Sequence, residues 1–377
     1  MLNFGRPFLR SSTPRHHLPT FVAAFAAIAF APRPAVGIPY FAHEFAMTCQ
    51  KCHSVVPRLN PFGAAFEAHG FALAEARPRP AFPVAVKLNS AYTSESDPSG
   101  LPKATLDEVE LFVAGRLGTR SNYFIEQYVV DGARPGATRD AWLRYRVTPD
   151  TARVPVALRA GAFTLPLPVD PESFRESLSH YAVYDQKVGV NPFAFFDAKI
   201  GGEVRVGEAA RGTSVALLAL GGHDANSGSA AHGIDTMLSA QHVLGHVSLS
   251  AYRYAGARPA FDGLDRFWRF GYGVAYAAGP IEMQTVLQTG VDDRIDASGT
   301  ATVSSGGFTQ LRYAFSRRLF AAVRYEGTSD VNAGFARDVV PLVGYRVTRN
   351  ARLTVEDVIT HVPSAKHQLG VQYTVAY

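Results

Sequence analysis

From about residue 81 onward the chain breaks into segments of roughly ten residues in which apolar and polar side chains alternate, and no other feature restricts the fold as much. Val84, Val86 and Leu88 oppose Lys87 and Asn89, and Val109, Leu111 and Val113 oppose Glu108, Glu110 and Arg116. Ala141, Leu143, Tyr145 and Val147 oppose Arg144 and Arg146; Ile200, Val204 and Val206 oppose Lys199, Glu203 and Arg205. Trp268, Phe270, Tyr272, Val274 and Tyr276 alternate with Arg269 and glycines. Such segments begin near 83, 106, 122, 138, 154, 195, 212, 234, 246, 265, 280, 303, 319, 335, 351 and 366. Residues 212 to 243 alternate poorly, and Asp357 falls on an apolar face.

The connections sort by parity. Gly118 to Ser121, Thr148 to Arg153, Gly207 to Gly212, Leu244-Gly245, Ala278 to Pro280, Ser316 to Arg318 and Thr348 to Asn350 are short. Between them lie mostly longer stretches: Ser94 to Thr105, Asp131 to Thr138, Thr164 to Pro192, Gly222 to Gly233, Ala255 to Asp265, Asp292 to Thr302 and Thr328 to Gly334. Only Val362 to Lys366 is short where a long one is due. This predicts an all-β transmembrane barrel of about 16 antiparallel strands over 81–377, with turns on one side of a bacterial outer membrane and loops on the other. A soluble β-sandwich has no reason to sort loops this way. Leu369, Val371, Tyr373, Val375 and Tyr377 close the chain as a lipid-facing strand with a terminal aromatic, resembling the signal read by bacterial barrel-assembly machinery. Closure removes the sheet edges that lipid cannot satisfy. Gly 33, Tyr 16 and Phe 25 with only 18% charged residues fit a strand-rich protein facing lipid.

The first 37 residues predict a secretory signal. Arg6, Arg10 and Arg15 precede the apolar run Phe21 to Ala31, which Pro32 and Pro34 break, and cleavage is placed after Gly37. The run is too short to span a membrane as a helix. Removing residues 1–37 leaves 33 basic against 32 acidic side chains, so the basic balance of the whole chain argues for no nucleic acid partner.

Residues 38–80 carry the chemistry. Cys49-Gln50-Lys51-Cys52-His53 holds the only two cysteines, at the spacing of c-type haem attachment. Two thiols add to the porphyrin vinyls and the next residue offers a proximal imidazole. A zinc site would need further ligands, and no second cysteine pair exists. The expected cofactor is one covalent haem c on Cys49 and Cys52, with His53 on the iron. Tyr40 to His53 has helical spacing, with Phe41, Phe45, Cys49 and Cys52 on or near one face. A second helix is punctuated by Asn60 as N-cap, Pro61 at its first position and Gly70 past its end. Phe62, Phe66 and His69 share a stripe on it, making His69 a candidate second axial ligand beside Met47 and His43. About 40 residues cannot make a core unaided, so this small α-helical segment is expected to plug the barrel lumen.

Phe41-Ala42, Met47-Thr48-Cys49, Cys52-His53, Pro57-Arg58-Leu59-Asn60, Phe62-Gly63, Phe66 and Gly70 resemble the N-terminal signature of the monohaem cytochrome-porin fusions, outer-membrane c-type cytochromes of iron-oxidising bacteria. His43 and Ala64-Ala65 depart from that pattern. The resemblance implies electron uptake from extracellular Fe(II) and delivery to a periplasmic c-type cytochrome or similar acceptor, an Fe(II):cytochrome c oxidoreductase. It assigns Cys49 and Cys52 to the thioether bonds and His53 to the proximal site. Under that reading Thr164 to Pro192 folds inward and brings Asp170, Glu172, Glu176, His180, Tyr184 and Asp185 towards the donor. Glu108, Glu110, Glu126, Asp197 and Glu326 are expected on the lumen side near the outer mouth, and Arg116, Arg144, Arg146, Arg205 and Arg346 nearer the periplasm. Two other readings stay open: a conduit for another donor, such as a mineral, an electrode or reduced sulfur, and a diffusion porin with a structural haem.

Overall fold

The computed structural model describes residues 41, 44–45, 47–55, 58–68, 71, 84–94, 103–132, 134–149, 152–208, 212–224, 233–261, 263–330, 334–361 and 365–376. The predicted signal segment and His43, His69, Gly70 and Tyr377 lie outside the described residues. From Val36 the chain forms one compact unit.

The short elements come first: α1 (Cys49–Cys52), β1 (His53–Val55), β2 (Arg58–Leu59) and α2 (Pro61–Ala68). The barrel follows as β3 (Val84–Thr93), β4 (Lys103–Arg116), β5 (Ser121–Asp131), β6 (Arg134–Pro135), β7 (Thr138–Arg146), β8 (Val156–Phe163), β9 (Lys199–Gly207), β10 (Thr213–Asp224), β11 (Asp235–Leu244), β12 (Val247–Ala260), β13 (Gly263–Ala278), β14 (Ile281–Asp292), β15 (Thr302–Ala314), β16 (Leu319–Asp330), β17 (Gly334–Arg346), β18 (Ala351–His361) and β19 (Ala365–Ala376). A single turn, α2's successor α3 (Ala182–Asp185), lies in the long loop between β8 and β9. The small β6 caps the hairpin between β5 and β7, which also pair directly. The remaining sixteen strands are antiparallel neighbours, and β19 pairs with β3 to close the cylinder.

The predicted strand starts lie within about four residues of those found. The outward face carries Leu143, Val204, Leu217, Tyr272, Leu287, Leu311 and Val343, all exposed, as a lipid-facing belt must. Tyr145, Tyr276, Tyr313, Tyr345 and Tyr373 stand near the short-turn ends of five strands that run towards those turns, an aromatic girdle for the periplasmic interface. Closure, the apolar belt and the girdle place the protein in the bacterial outer membrane. Among the described residues no helix is long and apolar enough to cross a membrane; the strands do the crossing.

Two sequence expectations need correction. The loop over Ala255 to Asp265 is instead strand: β12 and β13 run on until Ala260 pairs with Gly263. The predicted helix over Tyr40 to His53 is broken, because Met47 and Thr48 are not helical and α1 starts afresh, with Lys51 N donating to Thr48 O at 2.9 Å.

The poor alternation of 212 to 243 has a physical cause. On β10, Val215 and Leu217 face lipid, but Ala216, Leu218 and Leu220 on the opposite face are buried rather than wet. They belong to a lumenal core with Met237, Tyr252, Tyr254, Phe267, Val286 and Phe308, covered by Leu165, Val169, Tyr181, Tyr184, Phe193 and Phe195 of the loop between β8 and β9. That loop is folded into the barrel. Phe193 and Phe195 are fully buried, and each contributes about 1.5–3 kcal/mol through burial. Asp357 also finds a partner on the outer face, His367 Nδ1 at 2.9 Å on the neighbouring strand.

Candidate functional site

The Cys-x-x-Cys-His stretch is held by its own chain first. Asn60 caps α2 as expected, its Oδ1 accepting from Gly63 N at 2.9 Å. The same side chain donates from Nδ2 to Lys51 O at 3.1 Å, and Asn60 N donates to Cys52 O at 2.8 Å. One residue thus clips the start of α2 onto the attachment turn. Gly63 makes the approach possible: a Cβ there would stand 2.1 Å from Cys52 O. His53 sits in the two-strand ribbon, paired with Leu59. Phe41 and Phe45 each meet Phe66 edge to face, and Phe71 stacks on Phe41 with ring centroids 4.6 Å apart.

Described residues of this segment touch inward side chains of the barrel wall. Phe71 stacks against Trp142 and leans on Phe124, at 6.5 and 6.3 Å between centroids, and Arg144 Nη1 donates to Glu67 O at 3.0 Å. Burial raises the Glu67 carboxyl above its ordinary range, with Arg144 opposing. Between the segment, the wall formed by β3, β4, β5, β7 and β8, and the inward loop lies a partly open cavity of about 210 Å³. Met47, Cys52 and His53 line it.

The wall is layered, because inward residues on paired strands fall in rows. Nearest the short turns are Asn122 and Arg144. Next come Phe124 and Trp142, then Glu126 and Asp140, with Phe112 beside Glu126. Lys87 and Glu110 follow, joined by an ion pair of 2.6 Å. A β-bulge between Glu126 and Gln127 leaves Arg139 as the extra residue on β7 and turns it inward, where Nη1 meets Glu172 Oε1 at 3.3 Å. Arg175 Nη2 holds the other Glu172 oxygen at 3.4 Å. Burial would raise the Glu172 carboxyl, but Arg175, Arg139 and Lys87 together hold it down to about 2.

The inward loop is anchored across the lumen. Glu356 accepts from Leu178 N and Ser179 N, both at 2.8 Å, and Glu326 accepts from Ala182 N at 2.9 Å. Arg324 donates to Ser177 Oγ, Ser179 Oγ and His180 O, and Arg312 pairs with Glu176 at 3.0 Å.

Cys52 and His53 come together at the cavity, and the Cys49 backbone lies in α1 beside them; His69 and His43 lie outside the described residues. The inward course of 164–192 is found, but its polar residues do not converge. Asp170 accepts from Glu172 N and Ser173 N, Glu176 goes to Arg312, and His180 pairs with Asp185 at 2.8 Å. Among the described residues no three His, Cys, Asp or Glu side chains are placed to ligate a metal ion. Glu108, Glu110, Glu126 and Glu326 are buried on the lumen side, whereas Asp197 precedes β9 in the loop and Arg116 is exposed at its strand end. Phe112, Phe124, Trp142 and Asp140 were not singled out from the sequence. Their signal was parity: Phe112 and Phe124 share a strand face with Glu110 and Glu126, and Trp142 shares one with Arg144.

The residues present suit a haem in kind: aromatic side chains line the cavity, and Cys52 and His53 of the attachment turn border it.

No protein-family model and no curated protein matches the sequence. The fold is that of the outer-membrane porins. OmpF of Salmonella typhi, in complex with daunomycin, superposes with a TM-score of 0.59 at 12% identity, over 78% of this chain and 97% of that one. The anion-selective porin of Comamonas acidovorans gives 0.59 at 10% identity, over 78% and 98%. The outer-membrane channel DcaP of Acinetobacter baumannii gives 0.56 at 13% identity, over 78% and 96%.

Proposed function

We propose that this barrel is an electron conduit: residues 38–80 carry one covalent haem c on Cys49 and Cys52 with His53 proximal, as in the monohaem cytochrome-porin fusions that the N-terminal motif resembles. Extracellular Fe(II) gives up one electron and leaves as Fe(III), and a periplasmic c-type cytochrome or similar acceptor takes that electron. One observation carries the reading: Cys52 and His53 of the Cys-x-x-Cys-His turn line a cavity that inward residues of the barrel wall also line. The apolar layer of such a barrel is about 25 Å thick, so a single redox group can serve both sides only from within the wall. When bound, the haem supplies a one-electron carrier tuned by its axial ligands and burial. The chain's own part would be to exclude water with Phe41, Phe66, Phe71, Phe124 and Trp142, with Met47, His69 and His43 as the candidates for a second iron ligand.

The packed loop between β8 and β9 bears on the diffusion-porin alternative, since an aromatic core occupies the lumen against β10 to β15. The test is a pyridine haemochrome spectrum of protein made in a cytochrome-maturing host, followed by stopped-flow reduction with Fe(II). Expected are one haem per chain, loss of covalent haem in Cys52→Ser, an altered Soret band in His53→Ala, and reduction by Fe(II). Absence of haem, or solute flux through liposomes at porin rates, would refute the proposal.

A further inference from the structure

We infer that the acidic row of the cavity, built on Glu126 and Asp140, is a docking site for a hydrated divalent cation; this rests on the electron-conduit reading and gives its donor a place to sit. Six carboxylates line the cavity, Glu67, Glu110, Glu126, Asp140, Asp170 and Glu172, against three permanent cations, Lys87, Arg139 and Arg159. The cations are already engaged. Lys87 is paired with Glu110, Arg139 with Glu172, and Arg159 with Glu203 at 2.5 Å. Asp140 accepts from Thr164 N at 2.8 Å and from its hydroxyl at 3.1 Å.

Glu126 is only 7% exposed and lines the cavity; among the described residues no hydrogen bond and no ion pair within 4.0 Å reaches its carboxylate, and Arg139, the cation that acts on it most, spends its Nη1 on Glu172. A buried carboxylate without a partner is costly, and such groups persist where something else supplies the charge. Its strand neighbour in the same row, paired across β5 and β7, is a second carboxylate, so the absent partner is a cation rather than a donor of the neutral kind. No three described ligands converge, so a bare ion is not caged there; the ion keeps its water shell and is held through it, as small hard divalent ions commonly are.

The position is useful. The aromatic row of Phe124 and Trp142 lies two residues along the same strands, roughly 7 Å away. A cation held at Glu126 therefore stands one row above the apolar part of the cavity, on the side of the long loops.

Mn(II), an EPR-active divalent probe, tests the site on the full chain. Wild type is expected to hold one Mn(II), Glu126→Gln to hold it at least tenfold more weakly, and Asp357→Asn, which removes the same charge from the outer face, to leave it unchanged. Heat-modifiable migration on gels checks that each barrel is folded, and Glu126→Asp, which keeps the charge, should bind with intermediate strength. In haem-loaded protein at low ionic strength, Glu126→Gln should slow reduction by Fe(II) at least tenfold and leave reduction by anionic dithionite as it was. Mn(II) binding that is absent, or equal in wild type and Glu126→Gln, overturns the site. A missing haemochrome sinks the electron-conduit reading instead, and the Mn(II) titration still decides this one.

Discussion

Gly63→Ala sets two contributions of opposite sign against each other. Gly63 lies inside α2, where replacing glycine by alanine ordinarily stabilises by about 1 kcal/mol. In this fold the new Cβ would meet Cys52 O at 2.1 Å, Cys52 C at 2.9 Å and Cys52 Cα at 3.0 Å. All three are backbone atoms and cannot rotate aside, so α2 must lift from the attachment turn. Overpacking of this kind costs typically about 1–3 kcal/mol. A contact of 2.1 Å with backbone puts the clash at the upper end of that range, about 2–3 kcal/mol, so the net loss is about 1–2 kcal/mol and the open population of the segment rises roughly 5–30-fold. The assay is alkylation of Cys52 in haem-free, full-length protein carrying Cys49→Ser, under conditions where the rate follows the open population. Gly63→Ala should react roughly 5–30 times faster than its parent. Ala65→Gly, which loses only propensity, should react about fivefold faster. Slower or equal alkylation of Gly63→Ala would refute the reasoning.

Three further outcomes are expected. Asn60→Ala removes both the cap to Gly63 and the bond to Lys51, and should destabilise the segment by about 1–2 kcal/mol in the same alkylation assay; Asn60→Asp keeps the acceptor and should fall between. The Glu172 carboxyl is held down to about 2, below its ordinary value of 4.5, so its contribution, roughly 3 kcal/mol, is fully present above about pH 4.5 and is lost as the pH falls towards 2. Single-channel conductance of the haem-free barrel should rise over that window, and Glu172→Gln should already conduct at neutral pH. Glu356→Gln leaves one amide oxygen for two backbone donors, Leu178 N and Ser179 N, and should raise conductance without preventing barrel closure, as judged by heat-modifiable migration.

The barrel was legible because a lipid-facing wall imposes a two-residue period that each strand must obey. It failed to show where the inner face is not wet: Ala216, Leu218 and Leu220 are apolar on the side where water was expected, so periodicity faded although the strand is regular. The loop boundary at Ala255 was misplaced because Gly256 and Pro259 signal a turn, while pairing with β13 carries the strand to Ala260. At the site, the cap at Asn60 and the Cys-x-x-Cys-His turn were readable, being local. The inward arginine at 139 was not readable as such, because a bulge in the ladder, set by tertiary pairing, decides which way it points. The long-range partners of 164–192 were equally hidden. Its acids looked like ligands in sequence, and the fold gives Glu172 and Glu176 arginines from distant strands.

The greasy inner surface of β10 to β15 constrains how the molecule can be made. Until the stretch carrying Phe193 and Phe195 is seated, six of the sixteen strands present hydrocarbon on both sides, and stray detergent or another unfinished chain can adhere where the loop belongs. Insertion into the bilayer and docking of that loop must therefore be completed together, and a chain shortened there would leave a hollow able to soak up amphiphiles.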